Sequence, residues 1–189
     1  MKKIMFALAA VAMAAGVQAA QFSWSFSQIR EGWDDGTVKA DGTAYLFLVG
    51  TQGATEAAVA SAISGATDAT ALATSLSAMA IDTTSVASGV AEGTTASGIS
   101  ATAPAQLFFA VISDDGHVYQ GAATTITTIE TLGVTDVPFG SQKTATMAAG
   151  AWTDKSGSGG GGGGGTIPEP TSGLLLVVGG AMLALRRKR

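Results

Sequence analysis

The residue pattern predicts a mainly β domain, sandwich-like, with two short inserted helices, and one further apolar helix at each end of the chain. Three observations predict it. Short aromatic and β-branched runs are separated by Asp-Gly turns, as in all-β domains. One stretch rich in Ala, Ser and Thr carries its few large apolar residues at helical spacing. Two uncharged apolar segments stand apart at the termini, each beside a basic cluster.

Residues 1–19 begin with Lys2 and Lys3, continue through an apolar run over 4–15, and leave through Val17-Gln18-Ala19. A charged start, an apolar middle and a small-residue exit make a cleavable signal peptide, with cleavage expected after Ala19. The run is about 12 residues, roughly 18 Å as a helix, too short for the ~30 Å hydrocarbon core of a bilayer. The partners implied are a Sec-type export machinery and a signal peptidase. No cysteine follows the exit, so attachment as a lipoprotein is excluded.

In the domain expected over 20–155, the first strand is 22–26, where Phe22, Trp24 and Phe26 alternate with serines. The runs 44–49 and, after Gln106, 107–112 of the segment 106–112 are apolar throughout, which suits strands covered on both faces. Ser113-Asp114-Asp115-Gly116 separates the second run from His117-Val118-Tyr119 and reads as a hairpin turn. Another turn is expected near Asp34-Asp35-Gly36 or Asp41-Gly42.

Of the 54 residues 51–104, 34 are Ala, Ser or Thr. Within them Val59 and Ile63, then Leu72, Leu76 and Met79, recur at helical spacing, so two short helices are expected, the first ended by Gly65 and the second capped by Asp68. From 81 to 103 the β-branched residues and scattered glycines fit edge strands or loops. The spacing of Ile126, Ile129 and Leu132 fits a short helix while the intervening threonines favour a strand, and the pattern does not decide between them.

Residues 156–166 carry seven consecutive glycines after Ser-Gly-Ser and form a linker, since a glycine tract loses too much backbone entropy to order. The tract lacks the Lys and Ser/Thr of a phosphate-binding loop. Ile167-Pro168-Glu169-Pro170 follows, with two prolines that favour an extended strip. Residues 171–185 are uncharged and largely apolar, then the chain ends at Arg186-Arg187-Lys188-Arg189. A cationic block is costly to move through lipid and prefers the cytoplasmic side, so an exported chain is expected to halt here as a transmembrane helix.

Pro168-Glu169-Pro170, the apolar stretch and the basic tail, in this order, resemble the PEP-CTERM sorting signal over about 23 residues. The resemblance implies that Pro168, Glu169, Pro170 and the tail Arg186, Arg187, Lys188 and Arg189 are read by an exosortase, a membrane-embedded cysteine protease. It implies a bacterium with an outer membrane that makes exopolysaccharide, and a cell-surface or matrix destination after transient anchoring. It implies nothing about the role of residues 20–155.

Charge and composition narrow that role. Residues 20–166 hold Arg30, Lys39, Lys143 and Lys155 against thirteen Asp and Glu, a net −9, which repels phosphate backbones and makes nucleic acid an unfavourable partner. With no cysteine and a single histidine, His117, thiol chemistry and histidine-rich metal sites cannot be built, and neither metal nor cofactor is expected. A Ser-His-Asp triad through His117 lacks a Gly-x-Ser-x-Gly elbow. Asp34-Asp35, Asp41 and Asp114-Asp115 do not follow the spacing of a calcium loop, and turn chemistry accounts for Asp-Asp-Gly. Trp33 beside Asp34 and Asp35 is the one arrangement pointing to a ligand, an exopolysaccharide. The expectation is a non-enzymatic surface protein, with a glycoside hydrolase using clustered aspartates as the alternative.

Overall fold

A computed structural model describes residues 18–30, 39–130 and 133–157, all within the first of two compact units, 1–158. Residues 1–17 of the expected signal peptide 1–19, residues 158–166 of the linker 156–166 and the transmembrane segment 171–185 lie outside the described residues. Among the described residues no helix is long and apolar enough to cross a membrane.

The domain is mainly β. In chain order it contains β1 (Gln18–Ala20), β2 (Phe22–Ser27), β3 (Gly42–Leu48), α1 (Glu56–Gly65), α2 (Ala69–Met79), β4 (Asp82–Val86), β5 (Ala91–Thr94) and β6 (Ile99–Ala101). Then come β7 (Ala105–Ser113), β8 (His117–Gln120), β9 (Thr124–Ile126), β10 (Thr135–Ser141), α3 (Lys143–Thr146) and β11 (Trp152–Asp154).

The larger sheet has the order β11-β8-β7-β3-β4, with β9 beside β8 on the same edge of β7, and its central pair runs antiparallel from Gly42↔Ser113 to Leu48↔Leu107. A smaller sheet, β10-β2-β5, faces it, and β1 with β6 makes a two-stranded ribbon. Because side chains alternate along a strand, β2 sends Phe22, Trp24 and Phe26 into the space between sheets. There Phe26 stacks on Phe109 of β7 with ring centroids 4.5 Å apart. Ala44, Leu46 and Leu48 of β3 and Leu107 and Val111 of β7 complete that core.

The opposite face of the same two strands presents Tyr45, Phe47, Phe108, Ala110 and Ile112 to the helices, where Val59, Ile63, Leu72 and Leu76 meet them. So β3 and β7 are apolar throughout because both faces are covered, one by a sheet and one by helices. The architecture is a β-sandwich with a helical layer on its outside.

α1 ends at Gly65 and α2 is capped by Asp68 as the residues indicated, while the start of α1 at Thr55 is set by a cap the spacing did not mark. Thr55 Oγ1 accepts from the Ala58 amide at 3.0 Å, and Asp68 Oδ1 accepts from the Ala71 amide at 2.8 Å, each satisfying an N–H that the helix itself leaves open. The 113–116 turn joins β7 to β8 as expected, with Gly116 at φ +83°. In that position a Cβ would approach the Ser156 backbone to 2.6 Å, so glycine is needed for space as well as conformation.

Three readings are corrected or completed. Asp41-Gly42 does not turn a hairpin: Gly42 is the first residue of β3, and Asp41 leads into it. Of the ambiguous stretch, residues 124–126 form strand β9 and the helical option is not taken, because β7 offers an open edge that these β-branched residues fill. Strand β10 was not anticipated, since Pro138 and Gly140 break its pattern. It pairs parallel to β2 with a register shift between those two residues, at a sheet edge where a missing N–H is tolerated.

Candidate functional site

Of the acidic residues singled out in the sequence, Asp41, Asp114 and Asp115 lie at one end of the sandwich, where β3 begins and β7 ends. Trp33, Asp34 and Asp35 lie outside the described residues, but the chain on either side of them closes there: Arg30 and Lys39 form an antiparallel bridge, and the Ala40 amide donates to Ile29 O at 3.2 Å. Asp41 follows, and its carbonyl accepts from the Asp114 amide at 2.9 Å.

Of the described carboxylates at this end, Asp41 has a local task. The Asp41 carboxylate accepts the Ser88 N–H, holding a left-handed turn at Ser88 (φ +51°) and Gly89 (φ +74°) that links β4 to β5. Asp114 and Asp115 are exposed in the β7–β8 turn. Among the described residues no group of three or more His, Asp or Glu is placed to hold a metal ion.

His117 opens β8. Its amide donates to Ser113 Oγ at 3.1 Å, and its Nε2 lies 4.0 Å from Asp154 Oδ1 across the β8–β11 pair. Ser113, His117 and Asp154 are thus neighbours, an association the sequence did not disclose because Asp154 arrives from a strand 37 residues later. The geometry is not that of a nucleophile and its base: the serine oxygen accepts a backbone N–H and is buried. Asp154 is held below the ordinary carboxylate range, first by the Ser156 amide, then by the Ser156 hydroxyl, with the charge of His117 a smaller cause. It serves chiefly to fix the backbone where the domain ends.

Lys155 completes that fixing. Its ammonium donates to Ala66 O at 2.8 Å and Ser64 O at 3.3 Å, and its backbone exchanges hydrogen bonds with Gly116 and Ala69. A cation on the closing carbonyls of α1 also complements the helix dipole. The residues from which the glycine tract departs are therefore clamped to both the helices and the β7–β8 turn.

The aromatic residues considered for sugar stacking are mostly core. Trp24 is 1 % exposed and donates its indole N–H to Asp82 Oδ2 at 2.7 Å. Trp152 is also buried, giving its N–H to Arg30 O and Thr146 O at 3.1 Å each. Tyr45 and Tyr119 are buried, and that burial raises the pKa of both phenols. Asp82 was not singled out in the sequence. Its role depends on facing Trp24 across the sandwich, which no local spacing reveals.

An open hollow of about 450 Å³ lies at the other end of the domain, lined among others by Gly50, Ser100, Thr102, Pro104, Gln106 and Thr125. Its wall carries hydroxyls and an amide but no titratable group. Close by is β1, which holds the expected cleavage residue Ala19. The sorting residues Pro168, Glu169, Pro170, Arg186, Arg187, Lys188 and Arg189 lie outside the described residues. Comparisons with known protein families, with curated proteins and with solved structures found no match for this chain.

Proposed function

We propose that this chain is an exported structural protein of the cell surface or extracellular matrix, anchored in the membrane in transit and released or transferred by an exosortase-like protease. The observation that carries the reading is the tripartite C-terminus: Pro168-Glu169-Pro170, the uncharged segment 171–185 and the basic tail 186–189, on a chain that begins with a signal-peptide pattern. The Pro-Glu-Pro strip would be the recognition element, and the tail would hold the cytoplasmic side while the protease acts.

Two features of the domain support a structural role over a polysaccharide hydrolase. Trp24, Trp152, Tyr45 and Tyr119 are used in packing, so they do not form the stacking surface that a sugar-cleaving groove requires. Asp41 is engaged at a turn amide, whereas a hydrolase needs two carboxylates facing one bond at about 5–10 Å. The acidic surface, with net charge −9 over 20–166, suits a hydrated matrix.

Mass spectrometry of the C-terminus in the native host tests the sorting reading. A product ending near Pro168 is the expected result. An intact Arg189 on the surface-located protein would mean permanent anchoring without sorting.

A further inference from the structure

We infer that the leader is removed after Gly16, leaving Val17 as the mature N-terminus, and not after Ala19. The inference rests on the proposal that the chain is exported, and it deepens that proposal by assigning the processing site from the fold.

Strand β1 spans the bond that the sequence pattern selects. Gln18, Ala19 and Ala20 pair antiparallel with Ala101, Ser100 and Ile99. A cut after Ala19 would remove two of these three positions and leave the β6 backbone facing water or an unpaired interior. It would also create an α-ammonium on Ala20, which is 1 % exposed and belongs to the core between the sheets. A charge made there must either be desolvated or pull the strand end out of the core, and both cost stability.

The next residues are tightly held and leave no slack to absorb this. Gln21 Nε2 donates to Thr95 O at 3.0 Å, the Phe22 amide donates to Thr95 Oγ1 at 2.9 Å, and the Thr135 amide donates to Gln21 O at 2.8 Å.

Upstream, Ala14-Ala15-Gly16 provides the same small-x-small pattern across the end of the apolar run 4–15, with Gly16 the first residue beyond it. Glycine has a low helix propensity. The triplet Ala12-Met13-Ala14 also has small residues at both ends, but a cut after Ala14 falls inside the apolar run, whereas a cut after Gly16 falls beyond it. In the reaction, water adds to the Gly16 carbonyl and the bond to the Val17 nitrogen breaks. Gly16 leaves as a carboxylate and Val17 takes the proton as an ammonium, before the exposed Ala19 and away from the core.

N-terminal sequencing and intact mass of the exported protein test this directly. A chain starting at Val17 is expected; a start at Ala20 or Ala15 overturns the assignment, and an unprocessed Met1 on protein confined to the cytoplasm overturns the export reading instead. Two variants separate the sites independently. Gly16→Gln should abolish processing, and Ala19→Gln, at an exposed position, should leave it intact at Val17; the reverse pattern refutes the inference. Purified chains beginning at Val17 and at Ala20 provide a readout without the peptidase. The shorter one should melt lower by about 3 °C, and equal melting would show that β1 adds nothing to the fold.

Discussion

The two faces of the central β3–β7 pair are built from different materials. Between the sheets the filling is aromatic: Phe22, Trp24, Phe26 and Phe109 interlock, with Phe109 also meeting Phe139 at 4.8 Å and Tyr119 at 6.0 Å. Against the helices the sheet offers its own aromatics, Phe47 and Phe108 stacked at 4.9 Å, but α1 and α2 answer with four aliphatic side chains on an alanine-rich frame. Small residues let those helices sit close to the sheet, yet they supply little apolar area per turn. The difference teaches that one strand pair can serve two buried cores filled with different side chains, aromatic between the sheets and largely aliphatic on the helical side.

Truncation on each face breaks or sharpens this contrast. Phe109→Ala removes the ring that touches Phe26, Tyr119 and Phe139 together, and should cost about 4 kcal/mol by urea unfolding, loosening both sheets at once. Leu76→Ala on the helical face should cost about 3 kcal/mol. Its signature should be local: hydrogen exchange should rise in 56–79 while β3 and β7 stay protected, and equal acceleration everywhere would show a single cooperative core.

The smallest expected effect is at the α2 cap. The Ala71 amide, followed by the Thr67 hydroxyl, holds the Asp68 carboxyl below its usual 3.8. A depressed folded pKa stabilises at pH values above the unfolded pKa, and that contribution is lost as pH falls through the folded one. Asp68→Ala should therefore lower the melting temperature slightly at pH 7, and the gap from the parent should close as the pH is taken below 3.8. A gap that persists unchanged in acid would assign the effect to packing.

The parts legible in the sequence were those with local causes. Alternation marked β2, continuous apolar runs marked β3 and β7, and Asp-Asp-Gly marked the 113–116 turn. Apolar spacing, with Gly65 and Asp68, marked the end of α1 and the start of α2. The parts that escaped depend on partners far along the chain. Strand β10 has a poor strand sequence but lies parallel to β2 more than a hundred residues earlier. The three-residue β11 is a strand only because β8 receives it. The same holds for the candidate sites: Asp114 and Asp115 were visible as an acidic turn, while Asp82 with Trp24, and His117 with Asp154, exist only once strands are aligned.

By itself, the sequence determined the mainly β class, the strands β2, β3 and β7, the two helical segments, and the terminal patterns that point to export and sorting, because each rests on residues within a few positions of one another. Tertiary structure alone decided which face of β3 and β7 meets helices and which meets a second sheet, and that residues 18–20 serve as a strand as well as a leader exit. Strand pairing depends on what lies alongside, and a linear pattern records only what comes next.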